Sequence, residues 1–204
     1  TTTTTTTTHG RHRKDGDAAF RRGDLTGAER HYRAALSVDA DDVQAMSNLA
    51  TALYHRHLHH DQLDSTASAV AGERHPEERR NQRLGEIAEI SSLYRRALSL
   101  RPDGPGAAML HFNLGSALLK LGDNEEAKLA FESALALRPD FPAATQNLGA
   151  LQQEMGALGD AEASYRRSLA TAPKDAARRQ TARKNLWSLL KARGRHADLL
   201  ASYR

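Results

Sequence analysis

The sequence repeats itself at a fixed offset of about 34 residues, and this constrains its fold more than any other feature. The triplet Asn-Leu-Gly at 113–115 recurs at 147–149. The same offset relates four further pairs: Gly122 and Gly156, Ala127 and Ala161, Phe131 and Tyr165, and Pro139 and Pro173. Self-similarity at such a period indicates a stack of supersecondary units, each of which buries its apolar face against its neighbours.

Each unit is predicted to be two helices joined by a turn. Leu114, Leu118 and Leu121 recur at helical spacing, and the Gly122-Asp123 pair then interrupts the pattern. A second apolar stripe follows and ends at a proline, which cannot continue a helix; its members are Ala127, Phe131, Ala134, Leu135 and Pro139. A single hairpin of this kind leaves apolar faces uncovered, so the units must stack.

The spacing of these residues resembles the tetratricopeptide repeat, a helix-turn-helix unit of about 34 residues. The positions that carry the resemblance are Leu114, Gly115, Ala127, Phe131, Ala134 and Pro139. Copies can be followed from about Gly10 to the C-terminus, so the resemblance covers most of the chain. It implies an all-α fold, a right-handed α-solenoid of about five tetratricopeptide-type helical hairpins over residues 9–204. It also implies a protein–protein interaction scaffold rather than an enzyme.

Three segments depart from the repeat, the last of which is a longer link between Pro173 and Asn185. Residues 1–8 are a threonine tract with no apolar face, which predicts a disordered tail. An inserted loop is predicted at about 58–84, after a helix that ends near His60, because residues 64–72 are rich in Ser, Ala and Thr. The missing N-terminal Met and the early end of the last copy at Arg204 lead us to expect a fragment of a longer chain.

Four asparagines form the principal candidate site. Each stands directly before the buried Leu of the first helix in its repeat, a position that points to the concave side of a stack; they are Asn48, Asn113, Asn147 and Asn185. An amide side chain offers donors and an acceptor, so a row of them can pair with the backbone of an extended peptide. The row resembles the asparagine ladder of O-linked N-acetylglucosamine transferases and related tetratricopeptide proteins. The alternative interpretation is a tolerated polar residue on a solvated face.

Three further residues are predicted to contact the same ligand, because they lie along the same helix faces: Ser116, Lys120 and Thr51. The groove would be moderately polar rather than strongly charged. Tetratricopeptide domains that grip a C-terminal carboxylate use convergent cations, and this chain has Ala143 and Asn147 where a basic pair would be needed. The resemblance therefore does not extend to that specialised function.

Other chemistries find less support. His55 and His59 share a helix face, as two metal ligands would, but no recognisable motif completes the set, which favours exposed histidines and no metal. The sequence contains no phosphate loop, metalloprotease helix or nucleophile elbow, so no cofactor or catalytic residue is predicted. The Gly-Asp pairs are predicted to be interhelical turns; they are Gly23-Asp24, Gly122-Asp123 and Gly159-Asp160.

The composition of the chain limits the kinds of partner that it is predicted to bind. The net charge of +4 comes from 29 basic and 25 acidic residues that are interspersed along the chain, and aromatic residues make up 5%. Basic clusters at 11–14, 79–83 and 178–184 keep nucleic acid as an alternative, but few aromatics and a neutral inner face argue against it. No apolar run is long enough to span a membrane. The absence of cysteine and of a signal peptide favours the cytoplasm.

The sequence therefore predicts a scaffold that holds an extended peptide, or a helix of a protein partner, in a concave groove. Two other functions stay open at this point. The chain could be the substrate-recruiting arm of a larger multidomain enzyme, or a structural subunit of a large assembly. The identity of the partner and the oligomeric state do not follow from the sequence.

Overall fold

The computed structural model describes residues 2–67, 76–171 and 176–194, and this part of the chain contains nine α-helices and no strand. The helices are α1 (Thr2–Arg21), α2 (Leu25–Val38), α3 (Val43–Ala67), α4 (Pro76–Leu100), α5 (Ala107–Leu121), α6 (Asn124–Leu137), α7 (Pro142–Glu154), α8 (Leu158–Thr171) and α9 (Ala176–Ala192). They belong to two compact units, Thr1–Gly122 with α1 to α5 and Asp123–Arg204 with α6 to α9.

In the first unit, each helix packs against the next along the chain, and α3 also touches α1 and α5. This is the contact pattern of stacked hairpins, in which the first helices of successive repeats are neighbours. The largest side chains that are fully buried in this unit are those of Tyr32, Met46, Leu49, Ile87, Ile90, Tyr94 and Leu118. They lie at the helical spacing that the sequence pattern predicts.

The second unit repeats this arrangement. Its helices again pack in sequence order, and α7 also contacts α9. One core cluster joins α8 to α9; it consists of Ala161, Tyr165, Leu186, Leu189 and Leu190, with Leu169 and Trp187 packed against it. The predicted fold class, an all-α solenoid of helical hairpins, is confirmed.

Glycines with positive φ follow the first helix of most hairpins and begin the turn to the second helix. Gly23 has a φ of 79°, and the carboxylate of Asp24 then caps α2 by accepting a hydrogen bond from the Gly27 backbone N–H at 2.8 Å. The predicted turn at Gly159-Asp160 is wrong, since both residues lie in the first turn of α8. The positive φ of 80° belongs to Gly156, and Asp160 instead interacts favourably with the positive end of the α8 dipole.

The insertion is largely helical, which corrects the prediction of a loop at 58–84. Residues up to Ala67 continue α3, and α4 begins at Pro76, so each of these helices has 25 residues. Leu, Gln, Glu and Arg, all good helix formers, are frequent in these segments, and proline is well tolerated at the start of a helix. The buried His57 of α3 contacts Glu86 of α4 at 3.3 Å, so the two extended helices pair through ionisable side chains. Residues 68–75 lie outside the described part.

The structure describes the N-terminal tract but not the last helix that the sequence predicts. The backbone of residues 2–8 forms the beginning of α1, where the sequence predicts a disordered tail; disorder of this tract in solution stays a prediction. The second helix of the fifth repeat would lie beyond Gly194, outside the described residues. The described helices therefore comprise both helices of four successive repeats and the first helix of a fifth.

Candidate peptide-binding site

The predicted asparagines lie on the first helices of successive repeats, Asn48 on α3, Asn113 on α5, Asn147 on α7 and Asn185 on α9. All four side chains are half-buried. Their hydrogen bonding divides them into two pairs. Asn48 and Asn113 belong to junctions around a tyrosine hydroxyl from the second helix of the preceding repeat. Asn147 and Asn185 belong to no such junction among the described residues.

Asn48 belongs to a polar junction between the first two hairpins. One carboxylate oxygen of Asp17 accepts hydrogen bonds from the Tyr32 hydroxyl and from the Asn48 amide, both at 2.8 Å. The Asn48 carbonyl in turn accepts a hydrogen bond from the Gln44 amide at 2.8 Å. Burial and the Asp17 carboxylate both raise the pKa of Tyr32 above its ordinary value. Asn48 therefore helps to join α1, α2 and α3.

A second junction of the same kind surrounds Tyr94 of α4. Its hydroxyl lies 3.1 Å from the Thr51 hydroxyl and also interacts by hydrogen bonding with Asn113. Burial raises the pKa of Tyr94 to about 12, although these two hydrogen bonds oppose the shift. Asp17 and Thr51 are separated by one repeat length in the sequence, so the two junctions use equivalent positions of the repeat.

The second unit lacks this junction. Phe131, which stands where the first unit has a tyrosine, has no hydroxyl, and Asn147 has no hydrogen-bond partner among the described residues. In the next hairpin the Tyr165 hydroxyl donates to the Gln153 side chain at 3.2 Å, since Ala150 offers no polar group at the position of Asp17. Asn185 is likewise without a partner in the described part of the chain.

The inner face of the first unit contains a concave pocket of about 220 Å³. Asn48 and Thr51 line it together with four residues that sequence reasoning missed, Asp17, Phe20, Arg21 and Tyr32. Phe20 supplies an apolar wall, and its ring meets the His55 ring edge-on at a centroid distance of 5.5 Å. The signal for Asp17 was present in the repeat register, since it follows Gly16 as Thr51 follows Ala50 and Ser116 follows Gly115.

The remaining predicted contacts are dispersed. The Ser116 hydroxyl donates to the backbone carbonyl of Phe112 at 3.0 Å, which satisfies it within α5. Lys120 lies on a different pocket, which it shares with the cationic side chains of Arg80 and Arg83. The structure thus brings Asn48 and Thr51 together in one pocket and links Thr51 to Asn113 through Tyr94, but it places Lys120 elsewhere.

The tetratricopeptide repeat family matches the sequence over residues 14–76, 81–140 and 118–186. The chain belongs to this family. Domains of this family and fold are typically non-catalytic modules that bind other proteins. Membership of the family therefore supports the prediction of a protein-interaction scaffold. Within the described residues, no helix combines the length and apolarity needed to cross a membrane.

Several solved structures share the fold at low sequence identity. MamA residues 41 to the end from Desulfovibrio magneticus RS-1 is 16% identical, with a TM-score of 0.72 over 96% of this chain and 91% of that one. YrrB, a tetratricopeptide protein with an unusual peptide-binding site, is 16% identical, with a TM-score of 0.66 over 94% and 80%.

The first tetratricopeptide domain of Spaghetti (RPAP3), bound to an HSP90 peptide, is 20% identical, with a TM-score of 0.55 over 74% of this chain and 94% of that one. None of the curated protein sequences matches this chain. At these identities the structural likeness concerns the fold alone.

Proposed function

We propose that this scaffold binds an extended peptide along the inner helices, with Asn147 and Asn185 as the principal backbone contacts. The observation that carries the proposal is that their amides are not engaged by other described residues of the chain. Both amides are half-buried, they occupy the same register on α7 and α9, and neither has a partner among the described residues. Neither amide has a polar atom that is buried without a partner, so both can exchange bound water for the backbone groups of a ligand without breaking a hydrogen bond within the chain.

An extended peptide fits this arrangement better than a folded helix. The free N–H and C=O groups of an extended chain can pair with amide side chains, whereas a helix satisfies its own backbone groups internally. Such contacts read the main chain and therefore need little sequence preference. Two of the structurally similar proteins are described with bound peptides or peptide sites, which supports the same class of ligand.

In the first unit, the pocket lined by Phe20, Arg21 and Tyr32 provides a place for one apolar side chain of a peptide. Asn48 and Asn113 have a different role there. Their amides already engage the tyrosine junctions, so they position the inner helices and retain only part of their hydrogen-bonding capacity for a ligand.

The test is a selection from a random library of short displayed peptides against the full chain, followed by measurement of Kd for the selected peptides by fluorescence polarisation. The informative variant is Asn147→Ala combined with Asn185→Ala. The matched control is Asn124→Ala, which removes a half-buried asparagine from α6 in the same unit. Circular dichroism establishes that all three proteins are equally helical.

We expect the double variant to weaken binding by about tenfold or more, which corresponds to two hydrogen bonds of ordinary strength, and the control to bind as the parent does. Equal affinities for the double variant and the parent would show that the asparagines are surface residues. A library that yields no binder would contradict peptide recognition and favour a structural subunit that docks through folded surfaces.

A further inference from the structure

A cluster of potential metal ligands lies on the first hairpin, away from the asparagines. It consists of His12 and Asp15 on α1 and His31 on α2. Their ligand atoms all lie within 4.8 Å of one another. The two imidazole rings have a centroid distance of 6.5 Å and planes inclined at 32°. None of the three side chains makes a hydrogen bond or ion pair with another described residue.

The hairpin itself brings these groups together. His12 and Asp15 are one helical turn apart and therefore share one face of α1. α2 returns against this face at close range, because Gly16 lies directly against Tyr32; a Cβ at Gly16 would be 2.6 Å from the Tyr32 ring. His31, the neighbour of Tyr32 in α2, is thereby placed beside the α1 pair. The backbone that holds the cluster is thus fixed by core packing.

The donor set selects the class of ion. Two imidazole nitrogens and one carboxylate oxygen suit zinc and similar divalent transition metals, whereas magnesium and calcium prefer oxygen ligands alone. Zinc bonds of about 2.0–2.1 Å place tetrahedral donors roughly 3.4 Å apart, and rotation of the side chains would bring the present donors to that separation. Three protein ligands leave the fourth tetrahedral position for water or for a donor from a partner.

We propose that His12, Asp15 and His31 form a zinc site that clamps α1 to α2. Asp15 contributes the negative charge of the site. This charge offsets the positive charges of Arg11 and Lys14, which lie next to His12 and Asp15 in the sequence and would otherwise repel a cation. The histidines of α3 do not form an equivalent set. His55 and His59 share a helix face, but among the described residues no third ligand converges with them.

The test uses the full chain after treatment with a chelator, titrated with Zn²⁺ against a chromophoric competitor. The variants are His12→Ala, Asp15→Asn and His31→Ala, and the matched control is His55→Ala combined with His59→Ala. Thermal unfolding with and without Zn²⁺ gives a second readout, because an ion that binds only the folded state raises the midpoint. Mg²⁺ serves as the comparison ion.

We expect one zinc ion per chain, an affinity loss of at least about tenfold in each of the three variants, and a zinc-dependent rise in midpoint that these variants lack. The control should retain both properties, and Mg²⁺ should produce neither. Parent-like affinity in all three variants, loss of binding in the α3 control, or no saturable zinc binding by the parent would each overturn the proposal.

Discussion

Gly149 lies directly against the ring of Tyr165, so that a Cβ added at this glycine would be 2.9 Å from the Cδ1 and Cε1 atoms of the tyrosine. Gly16 and Tyr32, which have the same separation in the sequence, show the same relationship at 2.6 Å. The first helix of each of these hairpins can approach the second because one position has no side chain. The tyrosine ring then fills the space beside it, as its burial shows.

We predict that Gly149→Ala destabilises the second unit by about 1–3 kcal/mol, the usual cost of overpacking a core. The buried Tyr165 ring cannot yield without disturbing its neighbours. The measurement is the urea midpoint of unfolding. Gly159→Ala in α8 is the matched control, because a Cβ there meets nothing within 4 Å and alanine favours the helix. Equal midpoints for the two variants would contradict tight packing at Gly149.

The two classes of asparagine should respond differently to truncation. Asn48→Ala removes the hydrogen bonds with Asp17 and Gln44, and we expect it to lower the free energy of unfolding by about 1–2 kcal/mol. Asn147→Ala loses no described hydrogen bond, so its effect should stay within about 0.5 kcal/mol. Thermal unfolding of both single variants checks this. A larger effect at Asn147 than at Asn48 would mean that the division into junction and ligand-facing residues is wrong.

The buried hydroxyl of Tyr94 predicts an alkaline loss of stability. Its folded pKa of about 12 exceeds the ordinary value of about 10. The stabilisation from the neutral hydroxyl is therefore complete below a pH of about 10 and is lost as the pH rises from there through the folded pKa. Tyr94→Phe should flatten this part of the stability curve. The chain already uses phenylalanine at the equivalent Phe131, so the variant should fold, and an unchanged alkaline slope would exclude Tyr94 as its source.

The lowered pKa of Asp42 predicts a second pH dependence of stability, at acidic pH. Burial opposes its ionisation, but the Ala45 backbone N–H, His9 and Arg13 outweigh burial and hold the pKa of Asp42 below its ordinary value. The stabilisation is therefore complete above a pH of about 4 and is lost as the pH falls through the lower folded pKa.

Asp42→Asn preserves a side chain that can cap α3 but removes the charge, and we expect it to cost about 1.5–3 kcal/mol at pH 7. The difference from the parent should shrink as the pH falls below about 4, as followed by urea unfolding across the pH range. Asp41→Asn is the control, because its ion pair with Arg96 is exposed and should contribute less than about 1 kcal/mol. A constant difference at every pH would show that the charge of Asp42 is not responsible.

The repeat period was sufficient to predict the helical hairpins, because each apolar stripe recurs at one spacing and must be buried by its neighbours. It was insufficient for the asparagines. Their register is the same in all repeats, yet whether the amide is engaged depends on two positions of the preceding repeat. Asn48 and Asn113 follow a tyrosine that has a polar residue beside it, whereas Asn147 follows Phe131, and Asn185 follows Tyr165 with Ala150 at the position of Asp17. That dependence is visible only once the hydroxyls of Tyr32 and Tyr94 are placed beside Asp17 and Thr51.

The helical structure of the insertion escaped prediction for another reason. Its Ser- and Thr-rich middle indicates a loop, although the residues on either side of it are good helix formers and decide the structure of most of the segment. The cluster of potential metal ligands was missed because its third member, His31, comes from a different helix. Sequence spacing can show that His12 and Asp15 share a face, but not which residue of α2 lies opposite.

The two 25-residue helices α3 and α4 extend the second hairpin by about ten residues, or roughly 15 Å, relative to the 15-residue α5. Among the described residues, the core side chains of this hairpin lie between Ala45 and His57 and between Ile87 and Leu98. Stability in stacked repeats comes from each unit and its nearest neighbours. We therefore expect a change of length between α3 and α4 to disturb the neighbouring repeats less than a change between Ala45 and His57 would. A new binding module inserted there would leave the described core of the hairpin in place.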